Sequence, residues 1–112
     1  MANVDKAGLL ELAGGEEEAC ELMQIFLQSA QNLLAGAREA VAQQNRADVG
    51  KAVHQMAGAA GSCGLEGLEH LCRELEAGLG EMAWSEMAQR LDHAADFLSD
   101  TEAEISVLFP EG

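Results

Sequence analysis

The sequence predicts an all-α fold, an antiparallel up-and-down four-helix bundle with a short additional N-terminal helix. Helix-forming Ala, Leu, Glu, Gln and Met are abundant among the 112 residues, whereas the chain has no Tyr and one proline, Pro110. Apolar residues recur at helical spacing along most of the chain. The connections between the apolar segments are short, which makes consecutive helices antiparallel neighbours.

A paired glycine separates the first two predicted helices. The first, a short helix near Val4–Leu12, ends at Gly14 and Gly15, a strong C-terminal signal. Three glutamates, Glu16–Glu18, follow where acidic side chains stabilise the start of a helix. The second helix is predicted over residues 16–44. Its apolar positions are Ala19, Leu22, Met23, Phe26, Leu27, Ala30, Leu33, Leu34, Ala37 and Val41.

The other three helices follow the same pattern. Asn45 with Asp48 resembles a capping box and opens a helix over residues 46–62. A fourth helix is predicted over 65–78 and a fifth over 84–109. The apolar positions that mark the fourth helix are Leu65, Leu68, Leu71, Cys72, Leu75 and Leu79. The residues that the fifth helix is expected to direct inward are Met87, Leu91, Ala95, Leu98, Ile105 and Leu108. We therefore expect residues 1–112 to form a single helical domain.

Composition excludes several classes of function. The net charge is −14, and six Lys and Arg cannot neutralise many phosphates, which argues against nucleic acid and against anionic membranes. We expect no signal peptide, because the N-terminal residues lack an apolar run after a basic start, and the sequence contains no apolar run of about 20 residues. Three cysteines, an odd number, indicate free thiols in a reducing compartment. We expect a cytoplasmic protein.

His54 lies on the exposed face of the third helix. At about 100° per residue, its side chain points roughly 140° away from the apolar stripe. That stripe comprises Val49, Ala52, Val53, Met56, Ala60 and Cys63. The neighbours of His54 on the outer face are Gly50, Lys51, Gly58 and Gly61, with Ala57 on its flank. Because each glycine costs a helix about 0.5–1 kcal/mol, this cluster predicts close approach by another surface.

An exposed imidazole can act as a nucleophile or a proton carrier. Lys51 and Gln55 are the only polar neighbours of His54, so no general base for hydrolysis is at hand. A histidine that accepts a phosphoryl group needs no general base if its partner protein supplies the metal ion and the phosphate. Two alternatives to a functional histidine are a solvated surface residue and a bundle with a purely structural role. The structural role leaves the glycine cluster around His54 unexplained.

The run HQMAGAAGSCGLEGLEHLCRELE resembles the signature of histidine-containing phosphotransfer (HPt) domains of bacterial phosphorelays. The family's spacing after the histidine is matched by Gly58, Gly64, Leu68, Cys72, Leu75 and Glu76. GAAGSCGL is most similar to the modules at the C-termini of hybrid sensor kinases. LLELAGGEEEACELMQIFLQSAQNLL also resembles the family's first two helices, so the likeness covers nearly the whole chain.

The resemblance implies a phosphorelay intermediate rather than an enzyme. His54 is then the phosphoacceptor, taking a phosphoryl group from the phosphoaspartate of one response-regulator receiver domain and passing it to another. Mg²⁺ belongs to the receiver, and no cofactor or metal is expected in this chain. The contact surface is expected to comprise Lys51, Gln55, Ala57, Gly58 and Gly61. The resemblance further implies that the receiver docks across the second and third helices and that the protein is a monomer. It also implies that a hydrogen bond holds one ring nitrogen of His54, and Gln55 is a candidate partner for that bond.

One position departs from the family pattern. The lysine usual three residues after the histidine is replaced by Ala57, and Lys51, one turn before His54, is a candidate substitute for that cation. Two other functions stay open: the phosphoacceptor domain of a chemotaxis-type kinase, loaded from ATP, and a docking-only module that has lost phosphotransfer. Whether the chain stands alone or is part of a hybrid sensor kinase is also open.

Overall fold

The computed structural model describes residues 3–110, and this part of the chain contains five α-helices and no strand. The helices are α1 (Lys6–Ala13), α2 (Glu16–Ala42), α3 (Arg46–Ser62), α4 (Glu66–Gly78) and α5 (Trp84–Leu108). The predicted all-α fold is confirmed.

Helices α2 to α5 form a ring of four. α2 and α4 each pack against both α3 and α5, and α1 rests on α2. Since α3 and α5 are joined mainly through the other two helices, they lie diagonally across the bundle. Short connections make each consecutive pair antiparallel. The bundle measures 42 × 22 × 20 Å.

The helix ends follow from local chemistry. Asp5 caps α1 by accepting a hydrogen bond from the Gly8 backbone N–H at 3.2 Å, so α1 begins at residue 6 rather than near residue 4. Gly14 ends α1 with φ 94°, a left-handed conformation that favours glycine. At the start of α3, the Asn45 side chain accepts from the Asp48 N–H at 3.1 Å.

The core is apolar and runs the length of the bundle. Its largest fully buried apolar side chains are Met23, Met56, Leu65, Leu68, Leu75, Met87, Leu91, Ile105, Val49, Val53 and Cys72. Ala94, rather than the expected Ala95, is the buried alanine in its turn of α5. Leu108, also expected inside, is half-buried. No helix within residues 3–110 is both long enough and apolar enough to cross a membrane.

Arg46 fastens the start of α3 to the connection between α4 and α5. Its Nη1 donates to the backbone carbonyls of Leu79 at 2.6 Å and Met82 at 2.7 Å. Its guanidinium also lies 4.5 Å from the centre of the Trp84 ring. These contacts fix the start of α3, the helix that presents His54, against the connection between α4 and α5 and the first residue of α5.

Candidate functional site

His54 projects from the middle of α3 into solvent. Its side chain is 64% exposed, whereas the adjacent Val53 and the nearby Met56 are completely buried. Packing of these side chains in the core therefore fixes the α3 backbone that carries the imidazole.

Glu76 of α4 holds the ring. Its Oε2 lies 2.7 Å from Nδ1 of His54. An ionised carboxylate only accepts hydrogen bonds, so Nδ1 carries the proton in this contact, and in the neutral imidazole the lone pair is left on Nε2. The residue that orients the imidazole is thus Glu76 and not Gln55, which is exposed on α3. A contact between residues 22 positions apart depends on how α3 and α4 pack, which helical periodicity does not reveal.

The Glu76 carboxylate is itself held by Arg73. Nη1 of Arg73 lies 3.4 Å from Oε1 of Glu76, and its Nη2 lies 3.9 Å from Oε2 of Glu69. The Glu69 carboxylate covers Gly61, where an added Cβ would meet Oε2 at 2.6 Å. A chain of polar contacts therefore runs from His54 through Glu76 and Arg73 to Glu69.

The glycines around His54 serve different purposes. A Cβ at Gly58 would have no atom within 4 Å, so this position opens directly to solvent. A Cβ at Gly50 would come within 3.0 Å of Leu79 Cδ2, so Gly50 allows close helix packing. The missing side chain of Gly61 leaves room for the Glu69 carboxylate. Of these three glycines, Gly58 is the one whose missing side chain leaves open space.

Ala57 does not lie on the exposed surface. It is completely buried, which corrects the expectation that it contributes to docking. Gly50 and Gly61 lie on the same side of α3, and Ala57 lies between them on the helix surface. Gly61 faces Glu69 of α4, and Gly50 faces Leu79, the residue that follows α4. The packing of α4 on this side buries more of α3 than the apolar stripe alone indicates.

Lys51 and Gln55 are both exposed near His54. In the part of the chain that the structure describes, five of the six basic side chains make a hydrogen bond or an ion pair. Lys51 is the exception, so its ammonium group is available to a ligand or a partner.

A surface without charged residues adjoins His54. The α2 segment 22–37 contains no Asp, Glu, Lys or Arg, and neither does the α3 segment 52–62. A shallow groove lies at one end of this surface, where Ile25 of α2 and Ser62 of α3 line it together with α1 residues and with Glu18 and Glu21, which precede the uncharged segment of α2. We call the exposed side chains of these two segments the neutral face. A surface this free of charge is unusual on a chain of net charge −14. The uncharged run of residues 22–37 makes this surface visible in the sequence.

His70 and the three cysteines carry further reactive side-chain groups. His70 pairs with Glu74 on its own helix. No group of three or more His, Cys, Asp or Glu side chains suited to a metal ion occurs among residues 3–110. The three cysteines are free thiols. Burial raises the pKa of Cys63, and it raises the pKa of Cys72 to about 11.

Comparison with known proteins identifies the family. A family model described as the Hpt domain matches residues 21–105, from the first third of α2 into α5, including His54 and Glu76. The chain belongs to the Hpt family. Hpt domains are phosphocarrier modules rather than classical enzymes, so this Hpt domain has a phosphotransfer role in a two-component phosphorelay.

A solved structure shares the fold of this Hpt domain. It is the HPT domain of an Hpt sensor hybrid histidine kinase from Shewanella, with a TM-score of 0.76 and 20% sequence identity. The match covers 98% of this chain and 96% of that one. No curated protein matches the sequence.

Proposed function

We propose that this Hpt domain is a phosphorelay intermediate, in which His54 accepts a phosphoryl group from one receiver phosphoaspartate and passes it to another. The observation that carries the proposal is the geometry of His54: exposed, held at Nδ1 by Glu76 at 2.7 Å, and placed one turn before the open position Gly58. Nε2 is the atom left to react.

The transfer step needs no proton movement within this chain. The Nε2 lone pair attacks phosphorus, the N–P bond forms, and the P–O bond to the aspartyl carboxylate breaks, so that the carboxylate leaves. The proton remains on Nδ1, and the ring becomes cationic. Glu76 lies against that developing charge and stabilises it. Donation to a second receiver is the same step in reverse, and a Mg²⁺ ion bound by the receiver would supply the charge neutralisation that the phosphoryl group needs.

The neutral face is the proposed docking surface. A receiver that binds Mg²⁺ and carries a reactive aspartate presents carboxylates, which a chain of net charge −14 repels at most of its surface. The uncharged segments of α2 and α3 lower that repulsion beside His54, and Ile25, 68% exposed, adds apolar area. Lys51 and Gln55 lie at the contact with the receiver. Lys51 supplies the positive charge that the family's usual lysine, replaced here by Ala57, would provide.

A relay experiment tests this function. The protein is mixed with Mg²⁺ and a panel of purified receiver domains carrying ³²P on aspartate, and a second, unlabelled receiver is then added. We expect label on the Hpt domain and then on the second receiver. His54→Gln should abolish both steps, whereas His93→Gln, a control at an exposed histidine on α5, should leave them unchanged.

Two outcomes contradict the proposal. Label that enters only from ATP and a kinase catalytic domain indicates a chemotaxis-type phosphoacceptor. Stable binding of receivers without any label on His54 indicates a docking-only module, the alternative raised by Ala57.

A further inference from the structure

We propose that Arg73 is a positioning residue for phosphoryl transfer, acting on His54 through Glu76. This inference rests on the proposed function of His54. Arg73 does not touch the imidazole in the observed contacts, and its two ion-pair partners are Glu76 and Glu69.

The side chain of Glu76 needs a second support. It is 34% exposed and has three rotatable bonds, so a single contact with Nδ1 of His54 leaves its carboxylate free to change rotamer. Arg73 binds the other oxygen, Oε1, at 3.4 Å. With one oxygen on the arginine and one on the histidine, the carboxylate is restrained to the orientation that keeps the proton on Nδ1.

Helical spacing places the three α4 side chains on one face. Glu69, Arg73 and Glu76 are separated by four and three residues, so they are neighbours on the helix surface. The two carboxylates would otherwise repel one another, and Arg73 lies between them. Its removal both releases Glu76 and leaves the repulsion between the two carboxylates uncompensated.

Arg73 and Lys51 therefore have separate tasks. Arg73 is occupied by carboxylates of its own chain, whereas Lys51 is exposed and unpaired among the described residues. We expect Arg73 to affect the rate of transfer within the docked complex and Lys51 to affect docking.

Nitrogen-15 NMR of the unphosphorylated protein tests the positioning directly. The chemical shifts of the two ring nitrogens of His54 report which of them carries the proton. In the native protein we expect the tautomer with the proton on Nδ1. Arg73→Met should increase the share of the other tautomer, and Arg73→Lys, which keeps the charge, should restore most of the native ratio.

The control is Arg90→Met, which removes an arginine paired with Glu74 and Glu86 at a distance from His54. It should leave the tautomer ratio unchanged. An unchanged ratio in Arg73→Met, in a protein folded by circular dichroism, overturns the proposal.

Single-turnover transfer from a ³²P-labelled receiver supplies the second readout. Because exposed ion pairs are individually weak, we expect Arg73→Met to lower the transfer rate at saturating receiver about two- to fivefold. The receiver concentration for half-maximal rate should stay constant. Equal rates in the native and Arg73→Met proteins contradict the inference, whereas failure of the native protein to accept label contradicts the proposed function and leaves the NMR result to decide on Arg73.

Discussion

Gly58→Ala separates the stability of the fold from the function of the site. The added Cβ meets no atom within 4 Å, so nothing in the fold has to move. Replacing a glycine inside a helix by alanine stabilises the folded state by about 0.5–1 kcal/mol. For a domain of 112 residues, with an unfolding entropy of about 2.1 cal/mol/K per residue, that corresponds to a rise in Tm of about 2–4 °C.

The same methyl group should impair transfer. It extends about 1.5 Å from the α3 backbone on the side that faces an approaching receiver. Because a misplacement of about 1 Å can cost on the order of 100-fold in rate, we expect single-turnover transfer to His54 to slow at least about tenfold. Gly58→Gln, with a longer side chain, should slow it further.

Differential scanning calorimetry and single-turnover labelling of the same samples measure the two effects. The control is Ala103→Gln, which adds an exposed side chain on α5, diagonally across the bundle from α3. It should leave the transfer rate unchanged. If Gly58→Ala raises Tm and transfers phosphate at the native rate, the receiver does not approach closely over Gly58 and the docking geometry is wrong.

Four further results are expected. Lys51→Ala should raise the receiver concentration for half-maximal transfer about two- to fivefold without lowering the maximal rate, and an unchanged concentration would remove Lys51 from the docking surface. Gly67→Ala should lower the free energy of unfolding by about 1–3 kcal/mol in urea titrations, because the new Cβ would lie 2.7 Å from Cε1 of Phe97; a stable variant would mean that the ring moves freely. Cys72, whose pKa burial raises from 9.0 to about 11, should be alkylated far more slowly at pH 8 than an unfolded thiol. The raised pKa favours the protonated thiol in the folded state, so the contribution of Cys72 to stability is complete below about pH 9 and is lost as the pH rises toward 11. Urea titrations near pH 9 and near pH 11 would detect this loss.

Local sequence determines the helices and the exposure of His54. The cap at Asn45, the left-handed Gly14 and the apolar period of α3 each depend on residues within a few positions, so they are visible in the chain itself. The predicted α2 extended to residue 44, two positions beyond Ala42, where the helix ends.

The partners of His54 depend on packing between helices. Glu76 belongs to another helix, and its match to the family pattern showed its presence but not its contact with Nδ1. Ala57, expected on the docking surface, is completely buried, whereas Gly61 is exposed and also accommodates the Glu69 carboxylate of α4. Periodicity gives the direction of a side chain, while the neighbouring helix decides what it meets.

The most direct test of the site is the position of the phosphoryl group on the ring. The protein would be labelled with ¹⁵N at histidine, phosphorylated by a receiver, and examined by ³¹P and ¹⁵N NMR at alkaline pH, where phosphohistidine persists. The geometry predicts an N–P bond at Nε2 of His54, since Nδ1 is held by Glu76 at 2.7 Å. Phosphorus on Nδ1, on His70 or His93, or on no histidine would contradict the account.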